Sequence, residues 1–211
     1  MSAPKDALYS HLQAELESAF DPRELRRRGR DGLAELAQDA SSFAALRLPG
    51  ETHVRVARPS GQRTGRSTVE ILAADQPFIV DTVRLTLRRL GLRELVLLHP
   101  LLALEREADG EIAAVGREAV PRTRESYVYA ELLDLDDPHR SEQLAAELER
   151  ALADVRRVVG DHAPMLERLH EHVGRIERAA PHLPGGFERA RGLAEMLGFL
   201  GSEGFLFMGY R

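Results

Sequence analysis

Cysteine is absent from the 211 residues. That excludes disulfides, zinc–thiolate centres, iron–sulfur clusters and thiol nucleophiles. Tryptophan is also absent, and aromatic residues make up 5% of the chain. The core therefore has to be assembled from Leu, Val, Ile and Ala, a composition that favours helix over strand. No apolar run approaches the roughly 18 residues needed to cross a membrane. Residues 1–20 carry Lys5, Asp6, Glu15 and Glu17, so they lack the apolar segment of a signal peptide. Positive charge is not in excess, since the net charge is −5, which argues against a nucleic-acid partner. The composition that remains, 43% hydrophobic and 30% charged, is that of a folded domain with a real core. These absences together predict a cytoplasmic protein with neither a membrane nor a nucleic acid as partner.

Leu8, Leu12 and Leu16 recur every fourth residue and predict a helix over 4–20, broken by Asp21-Pro22. A second helix is expected over 31–46, on Leu33, Leu36, Ala40, Phe43 and Ala44. Between them falls an arginine cluster, Arg23, Arg26, Arg27, Arg28 and Arg30. Pro49-Gly50 closes this helical preface. His53–Ala57 alternates as a strand, with its place relative to the other strands left open. After a turn at 59–65, Thr68–Ala73 reads as a second strand. Asp75 is then an N-cap and Pro77 belongs to the first turn of a helix. That helix buries Ile79, Val83, Leu87 and Leu90 and stops at Gly91.

The apolar run 94–104 predicts a central strand bent at Pro100. Asp109-Gly110 marks a hairpin, followed by a short return strand, Ile112–Val115. Residues 125–136 alternate as a further strand, and Asp137-Pro138 starts a long helix with Leu144, Leu148 and Leu152 on one face. Gly160 and Pro164 are expected to divide that helix from a second segment carrying Leu166, Leu169, Val173 and Ile176. A last helix covers 187–200, and Phe205–Tyr210 reads as an apolar strand with no partner after it, as in a chain cut from something longer.

The middle of the chain thus runs strand, helix, strand, strand, long helix. The expected class is α+β, a ferredoxin-like antiparallel sheet with helices on one face, because each helix has a single apolar stripe. Helical extensions flank it. The expected division is an N-terminal helical extension at 1–48, the α/β domain at 52–159, C-terminal helices at 164–203, and the start of a following segment at 204–211.

Residues 69–82, VEILAADQPFIVDT, resemble a VEIVNDDMPFLVDS-type segment of the large bacterial NAD-dependent glutamate dehydrogenases. Further features follow in the same order: His99-Pro100 at a strand end, the Asp109-Gly110 hairpin, Glu125-Ser126-Tyr127, Asp154-Val155-Arg156, and a final GFLFMGYR similar to that family's HFTFLGYR. The resemblance implies an N-terminal ACT-like region, of a kind that binds amino acids or mediates assembly. The resemblance further implies a homo-oligomer, with the remainder of the parent polypeptide as partner and an amino-acid effector as ligand. NAD belongs to a catalytic domain far downstream, so no cofactor is expected in this chain. Its own residues agree, since no G-x-G-x-x-G loop follows a strand. The alternative is a free-standing amino-acid sensor of ACT type.

The candidate effector site is the strand-to-helix turn Asp75, Gln76, Pro77 and Phe78, because N–H groups at a helix N-terminus can hold a carboxylate. ACT modules commonly have glycine where Phe78 stands. The competing reading is a plain capped helix with Phe78 in the core. No catalytic or metal site is expected. Ser126 and Ser141 lack a Gly-x-Ser-x-Gly context. Asp134, Asp136 and Asp137 are explained by capping. His170 and His172 fall on different helical faces, and His99 reads as a strand histidine with a satisfied hydrogen bond. The arginine cluster reads as a solvated or docking face.

Overall fold

The computed structural model describes residues 3–57, 66–116, 124–133, 135, 137–182 and 185–202. The predicted turn at 59–65, Asp134, Asp136 and the strand expected at 205–210 lie outside them.

Helix α1 spans Ala3–Ala19 and buries Leu8, Leu12 and Leu16 almost completely. Asp21 caps α2, Pro22–Ala44, by accepting the Arg23 N–H at 2.8 Å, with Pro22 in the first turn. The arginine cluster does not separate two helices as expected; it lies within α2. The break falls instead at Gly29, whose φ of 73° kinks the helix. Beyond the kink α2 buries Leu33, Leu36, Ala37, Ala40 and Ala44.

Among the described residues six strands form one antiparallel sheet: β1 His53–Ala57, β2 Arg66–Ala74, β3 Arg93–Leu98, β4 Leu101–Arg106, β5 Ile112–Val115 and β6 Arg124–Leu133. β6 is central. One edge pairs with β2 from Arg66↔Leu133 to Ala74↔Glu125. The other pairs with β3 and then β4, end to end. His99-Pro100 separates those two, because proline has no N–H to give a ladder; its carbonyl still accepts the Tyr127 N–H at 3.1 Å. β5 pairs with β4 on the outer side through the hairpin at Asp109-Gly110. β1 joins the main sheet beside β2, from His53↔Leu72 to Ala57↔Thr68. The order β2, α3 (Ile79–Arg89), β3/β4, β6, α4 (Pro138–Ala179) is the split βαβ arrangement, with β6 between the two parallel strands.

Strand alternation sends residues to two different cores. Val69, Ile71 and Ala73 of β2 and Val128, Ala130 and Leu132 of β6 pack with Ile79, Val83 and Leu87 of α3 and Leu144, Leu148 and Leu152 of α4. For these two helices the one-face expectation holds. The opposite face is covered as well: Leu72, Leu98, Leu102, Leu104, Tyr127 and Tyr129 pack against α1 and α2. The N-terminal helices therefore cover the second face of the sheet and build a core of their own with it.

Asp137 caps α4 through the His139 N–H at 2.9 Å. The helix then runs unbroken through Gly160 and Pro164, contrary to the expected division. The only ladder bond Pro164 removes is the one its own N–H would have made to Gly160. The chain forms two compact units, Met1–Ala153 and Asp154–Arg211. In the second, a 3₁₀ turn at Ala180–His182 precedes α5, Gly186–Leu200, and Ala180 and Ala190 are buried. No helix among the described residues is long and apolar enough to cross a membrane.

Candidate functional site

The turn from β2 into α3 is not built as its sequence suggests. The Asp75 N–H donates to the Arg124 carbonyl at 3.1 Å, extending the β2–β6 pairing one residue past the strand. The Asp75 carboxylate accepts the Ser126 hydroxyl at 2.7 Å, so it does not cap the helix. α3 begins four residues later, at Ile79, and no side chain caps it. Pro77 sits in the turn rather than in the first helical turn. The residue before the helix is Phe78, in the left-handed region at φ 71°. It is 42% exposed, so the expected core position for its ring is also wrong. Left-handed backbone at the helix start turns this side chain away from the apolar stripe that begins at Ile79.

His99, at the end of β3, lies close enough to Asp75 to feel its charge. Its Nε2 is buried and has no hydrogen-bond partner among the described residues, so the predicted satisfied histidine is not found. Burial pushes the imidazole pKa below its ordinary value, and the negative charge of Asp75 offsets only part of that. The strand ends thus gather Asp75, His99 and Ser126. Sequence reasoning singled out Asp75 and left the other two apart. The usable signal was that His99-Pro100 and Glu125-Ser126-Tyr127 stand among the same ordered family motifs.

The Ser126 hydroxyl that donates to Asp75 belongs to a fully buried residue, so the bond ties the ends of β2 and β6 together.

A second polar constellation lies beneath α1 and α2. Three glutamates are buried on that face of the sheet: Glu70, Glu125 and Glu131. Glu125 is gripped by Arg106, with Nε to Oε1 at 2.7 Å and Nη2 to Oε2 at 2.9 Å, and by Arg47 at 2.7 Å. Glu131 takes Arg66 at 2.7 Å, Arg28, and the Tyr129 hydroxyl at 3.0 Å. Glu70 takes Arg55 at 2.6 Å and the Tyr127 hydroxyl at 2.7 Å. Arg28, from the cluster expected on a solvated face, has a side chain 3% exposed and stacks on the Phe20 ring at 4.5 Å. Burial alone would raise the pKa values of Glu125 and Glu131; the arginine hydrogen bonds reverse that and hold both below the ordinary carboxylate value. Burial, and then the charge of the neighbouring glutamate, push the Tyr127 and Tyr129 phenols up. The network joins α2 and the segment after it to the sheet, a structural task.

A split-βαβ antiparallel sheet with α3 and α4 packed on one face places the protein in the ACT-like class of α+β modules. The chain belongs to the family described as glutamate dehydrogenase, ACT1 domain, whose model matches residues 14–148. That match reaches back into α1 and takes in all of α2, the elements that share the sheet's core. Similar proteins include the NAD-specific glutamate dehydrogenases of Pseudomonas aeruginosa, 30% identical over 171 residues, Halomonas elongata, 27% over 169 residues, and Mycobacterium tuberculosis, 27% over 168 residues. These alignments cover 76%, 77% and 78% of this chain, and 10% of each relative. The chain thus spans about a tenth of the length of the curated relatives it matches.

Proposed function

We propose that this chain is the N-terminal ACT-like regulatory and assembly region of a large NAD-dependent glutamate dehydrogenase, without a reaction centre of its own. The observation that carries this reading is the family match over residues 14–148, joined to relatives of which the chain covers a tenth. The parent enzyme would convert L-glutamate and NAD to 2-oxoglutarate, ammonium and NADH in the cytoplasm, with NAD held elsewhere in the polypeptide. This region contributes subunit contacts and responds to an amino-acid effector at Asp75, Gln76, Pro77 and Phe78. In that site Asp75 faces the ammonium group and the α3 N–H groups face the carboxylate.

Three measurements on the purified chain test the reading. No NADH forms from glutamate and NAD, light scattering reports a species larger than the monomer, and calorimetry with glutamate and other amino acids gives saturable heat that Asp75→Ala removes. NADH production by the chain alone overturns the reading outright. A monomer that binds an amino acid would instead favour a free-standing sensor.

A further inference from the structure

The arginine cluster in the first turns of α2 has an acidic counterpart in the same helix. Arg23, Arg26 and Arg30 are exposed, and so are Asp31, Glu35 and Asp39 beyond the kink at Gly29. Among the described residues none of these six side chains is in an ion pair. Their neighbours differ, since Arg27 is held by Glu24 and Arg28 by Glu131. The exposed side of α2 therefore carries unpaired positive charge up to residue 30 and unpaired negative charge from residue 31 on. The core of the protein does not ask for this division, because the face of α2 that it uses is Leu33, Leu36, Ala37, Ala40 and Ala44.

The spacing of the two sets is self-complementary. In two antiparallel copies of one helix, residues meet where their numbers add to a constant. About a centre between Arg30 and Asp31, Arg30 of one copy meets Asp31 of the other, Arg26 meets Glu35, and Arg23 falls beside Gln38 and Asp39. A parallel pair in register would instead set each charge against its like. The same centre puts Gly29 opposite Gly32, and a Cβ at Gly29 would have nothing within 4 Å, so a second backbone can come close there. A polyanion such as a nucleic acid fits less well, because Asp31, Glu35 and Asp39 would repel it beside the arginines that attract it.

We propose that α2 pairs antiparallel with α2 of a second copy of this chain across a two-fold axis. Arg23, Arg26 and Arg30 of each copy then face Asp39, Glu35 and Asp31 of the other, and the symmetry makes every pair twice. This rests on the assembly part of the reading above and names the surface that performs it. Exposed ion pairs each contribute little and are screened by salt, so the pairing is weak and salt-sensitive.

Sedimentation velocity of the intact chain at low salt, up to about millimolar concentration, tests this. It should report a monomer–dimer equilibrium that added salt shifts to monomer. Arg26→Glu alone and Glu35→Arg alone should each weaken dimerisation about tenfold or more, because the two-fold axis sets like charges together twice. An equimolar mixture of the two variants should restore it, since each reversed charge then meets its opposite. Both positions are exposed, so the variants keep their fold, which circular dichroism checks. A dimer undiminished in both single variants overturns the α2 pairing and leaves the assembly reading standing. A mixture no stronger than its components also overturns it, because the two charges then do not face each other. A chain that stays monomeric at low salt overturns the pairing and the assembly reading together.

Discussion

Glu125 lies between Arg47 and Arg106 with all three side chains at most 8% exposed. Removing the carboxylate strands two guanidinium groups in the interior, so Glu125→Ala should cost about 3–5 kcal/mol, read as a shift in the urea unfolding midpoint. The same groups set the pH range of stability. Glu125 and Glu131 have lowered pKa values when folded. Their contribution is therefore complete above the unfolded carboxylate value, about 4.3, and is lost as pH falls through the lower folded values. Tyr127 and Tyr129 are shifted up, so stability is retained below about pH 10 and declines above it. His99 is shifted down and adds a shallower loss that begins as pH drops below about 6.5. Urea midpoints measured across pH should form a plateau with these flanks, and His99→Gln should remove the shallow one. A flank near pH 6 that persists in His99→Gln contradicts that assignment.

At the scale of elements, two residues with positive φ make opposite predictions. Phe78 holds a left-handed conformation with its ring 42% exposed. Such backbone costs a non-glycine residue about 1–3 kcal/mol, against about 0.5–1 kcal/mol for the extra unfolded freedom of glycine. Phe78→Gly should therefore raise stability by about 1 kcal/mol. Gly110 has φ 88°, and a Cβ there would stand 2.7 Å from the Arg47 carbonyl oxygen. Its own carbonyl accepts the Arg47 N–H at 3.2 Å and Arg106 Nη1 at 2.8 Å, which fastens the β4–β5 hairpin to the segment after α2. Gly110→Ala should cost about 2 kcal/mol or more. Thermal melts of the two variants should move in opposite directions.

Across the unit Met1–Ala153, stability rests on two cores back to back through one sheet. Leu12 of α1 and Leu148 of α4 are both 0% exposed and belong to opposite cores. Each change to Ala should cost about 2–5 kcal/mol. The costs should add to within about 0.5 kcal/mol, since the sites share no neighbours, and both should move the same cooperative urea transition. A Leu12→Ala variant whose main transition stays put would show α1 and α2 to be a separate folding unit.

Local periodicity alone was enough to determine α1, α3, the first turns of α4, the Asp109-Gly110 hairpin and most of the strands, because each of these is written in the spacing of neighbouring residues. The ordered motifs from 54 onward were likewise enough to suggest the family. What tertiary structure decided was which surface each element meets. An apolar stripe on α1 or α2 says that a helix must be covered, but not that it covers the far side of a sheet whose near side holds α3 and α4. Nor does alternation in β6 reveal that Glu125 and Glu131 point inward. Their arginines come from α2, the segment after it, β2 and β4, and only folding brings those charges together. Asp75 looked like a cap for the same reason, since its real partner, Ser126, lies 51 residues away on another strand.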